Sequence, residues 1–461
     1  MRILALLVTF TLPALALAED WPQWLGPNRD AKWTETGLIE KFSKDGPKVL
    51  WEAKVGLGYA GPAVAAGKVF VTDRLVESGS PQPKSAFDKD TVVTGVERVL
   101  AFDEKTGKQL WKHEYPCKYR ISYAAGPRCT PTVDGDRVYT LGAMGDLLCL
   151  NVTDGTLIWS KQFMRDFGAK VPVWGFSSHP LIDGDNLICL VGGSEGRLVM
   201  AFDKKTGAVK WQSLSYDSGD FGYASPVIHT IAGKRQLIIW HPKAVVALDP
   251  TTGTKIWDVP MAVKFALTAP QVRVQGDQLF VTSFYDGAML LKVGPDSASI
   301  VWKSKAKGET PGKTTDLSSI MPTPVWRGDY IYGVCSYGEL RCIEAATGTR
   351  VWQTMQATRG PLTPAAVKAR ETPSETQPWS ERWSNAFLVE NGERFILFNE
   401  QGELIFANLT PKGYEEIDRG QILKPTNKLA GRPVIWMHPA YANHNVYARN
   451  DEKLVCVSLA K

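Results

Sequence analysis

Polar side chains that could bind a ligand recur beside prolines along this chain. The His, Ser and Asn side chains among them both donate and accept hydrogen bonds, so they could orient a small polar ligand. Pro is suited to the first residue of a strand, which predicts that each site lies where a strand begins. The dipeptides are Gly61-Pro62, Thr130-Pro131, His179-Pro180, Ser225-Pro226, Ala269-Pro270, Thr323-Pro324 and His438-Pro439, and Asn385 takes the corresponding place before Ala386.

Aromatic side chains and one guanidinium lie close to these dipeptides in sequence. Polar and aromatic groups together are typical of small-ligand or peptide sites. The alternative is that the same residues satisfy loop backbone and pack the interior, and the sequence leaves both interpretations open. The candidate ligand-binding residues are Tyr123, Arg128, Trp174, His179, Tyr223, Ser225, Asn385 and His438, with Tyr59, Phe176 and Trp383 nearby.

Patterns for other chemistries are weak or absent in the sequence. His179 and His438 have no carboxylate or Cys at metal-ligand spacing, so no metal site is predicted. The G-x-G-x-x-G at residues 56–61 is followed by a strand pattern rather than a helix, which excludes a dinucleotide loop. A Ser-His-Asp triad stays open, but no residues are selected for it. We therefore assign no catalytic residue.

A repeated motif indicates which elements must position these side chains. Ala101-Phe-Asp103-Glu-Lys-Thr106-Gly107-Lys-Gln-Leu-Trp111 returns with variations, and its Trp recurs at intervals of 45 to 60 residues. This length accommodates four short strands, or one blade of a β-propeller. Glycine permits the turn, and the Trp can pack against the neighbouring blade. The Trp positions are 51, 111, 159, 211, 257, 302 and 352, and a decayed copy without Trp covers residues 406–416.

The repeat predicts an all-β, eight-bladed propeller of four-stranded antiparallel blades. Trp51 lacks the first half of its motif, and the missing half is found at Cys456-Val-Ser458. We therefore expect the C-terminal strand to complete the blade that the N-terminal segment begins. In such a ring the innermost strands start near the central channel, so the dipeptides before Pro should surround one mouth of the channel. Residues 366–381, rich in Thr, Ser, Pro and charge, suggest an exposed insertion before blade seven.

The first 18 residues predict export. They contain one basic residue, an apolar core and Ala16-x-Ala18, which together form a secretory signal and cleavage site. The expected domains are a signal peptide over residues 1–18 and the propeller over residues 19–461, in the periplasm or secreted, and not lipidated. No later stretch is long enough for a membrane span. A net charge of +5 is too small to indicate nucleic-acid binding.

The seven cysteines are predicted to be mostly structural. Cys149, Cys342 and Cys456 share one repeat slot in different blades, so they cannot approach within disulfide range. Cys117 and Cys129 bracket the connection between two blades. An exported compartment permits a bond between them, and two unpaired thiols are the alternative.

The Ala-x-Asp-x-x-Thr-Gly-x-x-x-Trp repeat resembles that of the pyrroloquinoline-quinone (PQQ)-like propellers. The resemblance covers nearly the whole chain after residue 18. It includes the opening Trp21-Pro-Gln-Trp24-Leu-Gly-Pro-Asn-Arg29-Asp and the tail that begins at His438. Quinoprotein alcohol and glucose dehydrogenases share this repeat, as do non-enzymatic outer-membrane assembly lipoproteins. The resemblance is therefore specific for fold and poor for function.

Departures from the family pattern favour binding over catalysis. Many quinoprotein alcohol dehydrogenases stack PQQ on a disulfide between adjacent cysteines, and this chain has no Cys-Cys pair. The Asn and carboxylate ligands for a calcium-type ion, and the catalytic Asp, have no matching set here. We expect a monomeric binding or scaffold module that holds a protein partner or small ligand at the central funnel. The alternatives are a PQQ-dependent sugar or alcohol oxidoreductase and an outer-membrane protein assembly scaffold.

Overall fold

The molecule is a ring of eight four-stranded antiparallel sheets, as predicted. This computed structural model describes residues 19–216, 219–305, 313–335, 337–360, 382–429 and 432–461. The predicted signal peptide and the predicted insertion at residues 366–381 lie outside the described residues. No helix in the described ranges is long and apolar enough to cross a membrane.

The blades follow one another along the chain, each built from the channel outwards. The first four are β2 (Ala63–Ala65), β3 (Lys68–Val76), β4 (Val93–Asp103) and β5 (Gln109–Tyr119); β6 (Thr132–Asp134), β7 (Arg137–Leu141), β8 (Asp146–Asn151) and β9 (Leu157–Gln162); β10 (Leu181–Asp183), β11 (Asn186–Leu190), β12 (Val199–Asp203) and β13 (Val209–Ser213); and β14 (Val227–Ile231), β15 (Lys234–His241), β16 (Ala244–Leu248) and β17 (Lys255–Pro260).

The remaining blades have the same strand order. They are β18 (Arg273–Gln275), β19 (Gln278–Ser283), β20 (Gly287–Val293) and β21 (Ala298–Lys303); β22 (Val325–Arg327), β23 (Tyr330–Val334), β24 (Leu340–Glu344) and β25 (Arg350–Thr354); β26 (Ala386–Asn391), β27 (Arg394–Asn399), β28 (Glu403–Thr410) and β29 (Gly413–Gln421); and β32 (Ala440–Ala442), β33 (Asn445–Arg449) and β34 (Lys453–Ser458) with β1 (Lys48–Lys54). A small hairpin, β30 (Asn427–Leu429) and β31 (Arg432–Val434), precedes blade eight, and the short helices are α1 (Phe163–Phe167), α2 (Gln356–Arg359) and a 3-10 turn at Lys264–Ala266.

The ring closes as the split motif predicted. Strand β1 pairs antiparallel with β34, and Trp51 lies opposite Cys456. The same register places Trp111 opposite Ala101 in blade one and Trp159 opposite Cys149 in blade two. Because β1 and β34 close one blade, every blade packs against two neighbours and only short sheet edges remain.

In five blades the repeat Trp packs on the motif glycine of the next blade. A methyl group on Gly107 would lie 2.5 Å from the Trp51 ring, so only glycine lets the indole pack on this turn. The Trp51 indole Nε1 donates to the carbonyl of Glu104 at 2.9 Å, which satisfies its buried N–H. Trp111 packs in the same way on Gly155 and donates to the carbonyl of Val152 at 3.0 Å. The predicted scaffold role of these residues is confirmed.

The decayed motif in blade seven is a true blade hairpin with a substitute for its Trp. Asp418, two residues beyond the predicted place, lies opposite Phe406 in the slot that Trp fills elsewhere. Its carboxylate accepts a hydrogen bond from the backbone N–H of Phe42 at 2.6 Å. The Phe42 ring stacks on Phe406, with centroids 5.0 Å apart. An aromatic residue from the N-terminal segment therefore covers the place of the missing indole.

All seven cysteines are buried and unpaired. Cys117 packs with Val93 and Tyr119, whereas Cys129 belongs to a different cluster that includes Tyr139. The possible disulfide between Cys117 and Cys129 is therefore not formed, and the alternative of two unpaired thiols is the one found. Burial in apolar surroundings raises the thiol pKa of both residues well above the usual range.

A closed channel with an aromatic mouth as the candidate site

The dipeptides before Pro mark the starts of the innermost strands. The first strand begins directly after Pro62, Pro131, Pro180, Pro226, Pro324 and Pro439, and after Asn385; in blade five it begins at Arg273, three residues beyond Pro270. Neighbouring positions contact each other around the axis. The Ser225 hydroxyl accepts from the backbone N–H of His179 at 2.9 Å, and a methyl group on Gly61 would lie 2.1 Å from the carbonyl of His438.

Residues 21–33, the N-terminal plug, cross the channel beneath this ring. Trp21 forms a β-bridge with Val64 of blade one, and the backbone N–H of Trp33 donates to the carbonyl of Glu390 in blade seven at 2.8 Å. Between these ends the plug meets the innermost strands of the intervening blades. The residues of this segment resemble the start of related propellers, but nothing in their sequence indicates a place in the channel.

The guanidinium of Arg29 ties the plug to blades three and four. It donates to the carbonyls of Pro180 and Pro226, the latter at 3.2 Å. Arg273 of blade five donates in turn to the carbonyl of Arg29 at 3.2 Å. Burial lowers the pKa of Arg29 to about 10, so this side chain stays charged at neutral pH. The carbonyl dipoles stabilise the buried charge, and the guanidinium in turn supplies these buried carbonyls with hydrogen-bond donors.

Trp24 of the plug lies between the two candidate histidines. Its ring stacks on His179 at 4.4 Å and meets His438 edge-on at 5.8 Å. His438 also contacts Phe387, with ring centroids 3.7 Å apart. Burial and the nearby Arg273 lower the pKa of His438 to about 3, and burial lowers that of His179 well below its usual value. Both imidazoles are neutral packing groups at the level of the ring.

The opposite mouth is covered by a loop from blade one. Residues 77–92, the cover loop, connect β3 to β4 and place Phe87 over the axis. The Phe87 ring lies 5.4 Å from Tyr123 and 5.7 Å from Trp383. The backbone N–H of Tyr123 donates to the carbonyl of Ala86 at 2.6 Å, and the Ser122 hydroxyl donates to the carbonyl of Phe87. Neither Phe87 nor the cover loop was identified from the sequence.

The other candidate residues are mostly engaged within the protein. Arg128 donates to the carbonyls of Ser122 and Tyr123, at 3.1 and 2.6 Å. Tyr223 is buried and donates to Asp220 at 2.9 Å. The Asn385 side chain is fully buried, with its amide nitrogen 3.4 Å from the carbonyl of Trp383 and its Oδ1 without a partner. Trp174 is half-buried, 5.5 Å from Tyr223, and lines an open cleft beside the mouth.

An aromatic surface surrounds the covered mouth: Phe87 is exposed, Tyr123, Tyr285 and Arg382 are half-buried, and Trp383 is buried. We define this mouth surface as Phe87, Tyr123, Tyr285, Arg382 and Trp383. Phe87 is 47 % exposed. The Arg382 guanidinium lies 4.8 Å from the Trp383 ring and donates to the Tyr285 hydroxyl at 2.7 Å. These contacts fix the orientation of the Arg382 guanidinium and the two aromatic rings, so that they could bind another molecule with little loss of flexibility.

The residues at the mouth do not fit a quinone with its cation. A planar quinone needs a free slot, and its cation needs convergent oxygen ligands. Here Phe87 and Trp24 occupy the axis, while Arg128 is committed to backbone carbonyls. In the described part of the chain, no group of three or more His, Cys, Asp or Glu residues could hold a metal ion.

Comparisons with known proteins agree with this architecture. A family model described as "Outer membrane protein assembly factor BamB" matches residues 95–354 and 242–461. The outer membrane protein assembly factor BamB of Shewanella oneidensis is 22% identical over 74% of this chain and 72% of its own length. The polyvinylalcohol dehydrogenase of a Sphingopyxis species is 24% identical over 70% of this chain, and the match spans 58% of that enzyme.

A solved structure shows the same fold. The quinohemoprotein alcohol dehydrogenase from Comamonas testosteroni superimposes with a TM-score of 0.55 at 13% identity, covering 96% of this chain and 80% of that one. At this identity the likeness concerns architecture alone. The two overlapping matches to the family model together span residues 95–461, and the fold is a closed ring of eight blades with the Trp repeat. The chain therefore belongs to the PQQ-like propeller family described by the BamB model.

Proposed function

We propose that this protein is an exported binding module that holds a protein partner at the mouth surface. The observation that carries the proposal is that the chain itself closes the channel. On one side Trp24 packs against His179 and His438, and on the other side Phe87 covers the channel axis. Most of the candidate funnel residues pack into the interior, and the exposed Phe87 with the half-buried groups beside it forms the surface that we propose for recognition.

The composition of the mouth surface supports a protein partner. Aromatic residues and Arg are enriched at the energetic centres of protein–protein interfaces because they bury much surface at little cost in flexibility. Two of the aromatic residues also have unfavourable backbone conformations. Tyr123 has φ 55° and Trp383 has φ 64°, in the left-handed region that bulky residues avoid. Strain that the surrounding fold maintains is found preferentially at functional sites.

The comparisons support the same direction. The matching family model and one relative are named for the assembly of outer membrane proteins, and an assembly factor acts on other proteins. The predicted signal over residues 1–18 would deliver this chain to the same side of the membrane. The second candidate is a quinone-dependent oxidoreductase, favoured by the match to a polyvinylalcohol dehydrogenase. It would require the cover loop and plug to leave the axis.

The test is site-specific photo-crosslinking in cells of the source bacterium. A photoreactive residue at Phe87 should capture one defined envelope protein. The same residue at Thr153, in an exposed turn between the two outer strands of blade two, is the matched control and should not. Phe87→Ala and Arg382→Ala should each weaken binding of the captured partner by about tenfold, as for interface anchors. Equal capture at both positions, or substrate turnover without capture, would refute the proposal.

A further inference from the structure

We infer that the cleft beside the mouth, between the loops of blades three to five, is a binding site for a neutral saccharide. The cleft has a volume of about 750 Å³, within the range of small-molecule sites. The cleft adjoins the proposed partner surface, because its Phe265 ring lies 5.1 Å from that of Tyr285, but it would hold a different ligand. Its walls include Trp174, Tyr216, Asp220, Lys243, Lys264, Phe265 and Asp286.

Three aromatic rings line the cleft, and the Lys243 ammonium lies over one of them, 5.1 Å from the centre of the Tyr216 ring. Trp174 and Tyr216 are half-buried, and Phe265 is 67 % exposed, far more than is usual for a large apolar side chain. Phe265 has φ 54° and ψ 22°, and the next residue, Ala266, has φ 56°. Two consecutive non-glycine residues in the left-handed region are costly, so packing of the loop must maintain this conformation. Its effect is to hold the largely exposed phenyl ring at the edge of the cleft, where it contacts the Tyr285 ring at 5.1 Å.

The polar groups in the cleft balance in charge. Lys243 and Lys264 contribute two ammonium groups, and Asp220 and Asp286 contribute two carboxylates. Asp286 is fixed by the backbone N–H of Lys264, which donates to its carboxylate at 2.8 Å. Asp220 accepts from the Tyr223 hydroxyl at 2.9 Å and from the backbone N–H of Val173 at 3.1 Å. Each carboxylate oxygen can accept further hydrogen bonds, and the ammonium groups can donate them.

These features together select the class of ligand. A strongly anionic or cationic molecule would meet as much repulsion as attraction from two ammonium groups and two carboxylates. A pure hydrocarbon would remove water from those groups without replacing its hydrogen bonds, which is unfavourable. A sugar is neutral, donates and accepts through its hydroxyl groups, and presents flat C–H faces to aromatic rings. A neutral saccharide can therefore pack on the aromatic rings and form hydrogen bonds with the charged groups at the same time.

The test uses calorimetry with oligosaccharides of matched size on the chain from residue 19 onwards. Cellotetraose, mannotetraose and galactotetraose are the neutral probes, and tetragalacturonate and the glucosamine tetramer are the charged ones. We expect saturable binding of at least one neutral tetramer, tighter than either charged one. Phe265→Ala should weaken it by about tenfold. Ile300→Ala, at an exposed apolar residue on the outermost strand of blade five and outside the cleft, is the control and should bind unchanged.

Three outcomes would overturn the inference: no saturable binding of any neutral tetramer, tighter binding of a charged tetramer, or unchanged binding by Phe265→Ala. Melting temperatures should be alike for both variants because both side chains are exposed. Partner capture depends on Phe87 and saccharide binding on Phe265. The two readouts therefore distinguish failure of this inference from failure of the proposed function.

Discussion

The rings of Trp24 and His179 lie parallel, with centroids 4.4 Å apart and planes 3° apart. One ring comes from the N-terminal plug and the other from the start of the innermost strand of blade three. This contact explains why a histidine at the predicted funnel is neutral and inaccessible. It also makes the plug part of the hydrophobic core, since Trp24 clusters with residues of blades one, seven and eight.

Removal of the Trp24 indole should destabilise the ring. Trp24 is buried, and replacement of a buried Trp by Ala typically costs about 3–5 kcal/mol. We expect Trp24→Ala to lower the free energy of unfolding in urea by this amount. Trp24→Phe keeps a ring against His179 and should lose less than half as much. A loss below about 1 kcal/mol in Trp24→Ala would show that the plug is not part of the folded core.

Substitution of Arg29 tests the polar half of the plug. A lysine has one ammonium group and cannot donate to the carbonyls of both Pro180 and Pro226 in the geometry of the guanidinium. With a buried carbonyl left unpaired, Arg29→Lys should cost about 2–4 kcal/mol of unfolding free energy. Arg165→Lys, at an exposed residue paired with its neighbour Asp166, is the control and should change stability by less than about 0.5 kcal/mol. Equal losses of unfolding free energy in Arg29→Lys and Arg165→Lys would contradict the conclusion that Arg29 holds the plug to the blades.

The repeated architecture could be predicted because each blade carries its own local signal. The Asp-to-Trp motif recurs within a short stretch, and Trp51 without its first half pointed to closure with Cys456. The place predicted for the missing Trp in blade seven is two residues too early. This is because the hairpin formed by β28 and β29 differs in length from those of the other blades, and its second strand begins at Gly413. Counting along the chain cannot detect such a change in register.

The plug and the cover loop could not be predicted for a different reason. Each occurs once and has no repeat partner. The bond from Arg29 to Pro180 joins residues 151 positions apart, and the local sequence around Arg29 contains no sign of it. The dipeptides before Pro were correctly placed around the axis. Whether His179 and Asn385 faced solvent or core depended on these two unrepeated segments.

Stability should fall as the pH is lowered from neutral. Burial lowers the pKa of His438 to about 3 and that of His241 to about 4, and it places that of His179 well below 6.5. The unfolded chain therefore binds more protons than the folded one between about pH 6.5 and 4, and stability is lost as pH falls through this window. Each such histidine contributes up to about 1.4 kcal/mol per pH unit.

Three largely buried carboxyl groups oppose this trend, among them Asp451, whose pKa burial raises. The pKa of Asp146 and that of Asp316 are raised to about 6, mainly by burial, so folding favours their protonation in the same window. Burial also lowers the pKa of His229 to about 4, so four histidines outnumber the three carboxyl groups and the net slope should remain positive with pH. Urea unfolding at successive pH values measures it. His179→Phe keeps a ring against Trp24 and cannot titrate, so its slope should be smaller than that of the unmodified protein. An unchanged slope would mean that His179 is not protonated on unfolding in this range.

Thermal melting with PQQ and Ca²⁺ separates the two candidate functions. Arg128 is committed to backbone carbonyls, Asn385 is fully buried, and Phe87 covers the axis, so we expect no stabilisation by the cofactor. A ligand that binds the folded state at a hundred times its Kd stabilises it by about 2.7 kcal/mol, which is readily detected. A clear shift that disappears in Arg128→Ala or Asn385→Ala would show that the mouth opens to admit a quinone. Because those variants can change stability by themselves, the quantity to compare is the shift on adding cofactor to each protein. A shift retained in both variants would place the cofactor elsewhere and leave the closed mouth as described.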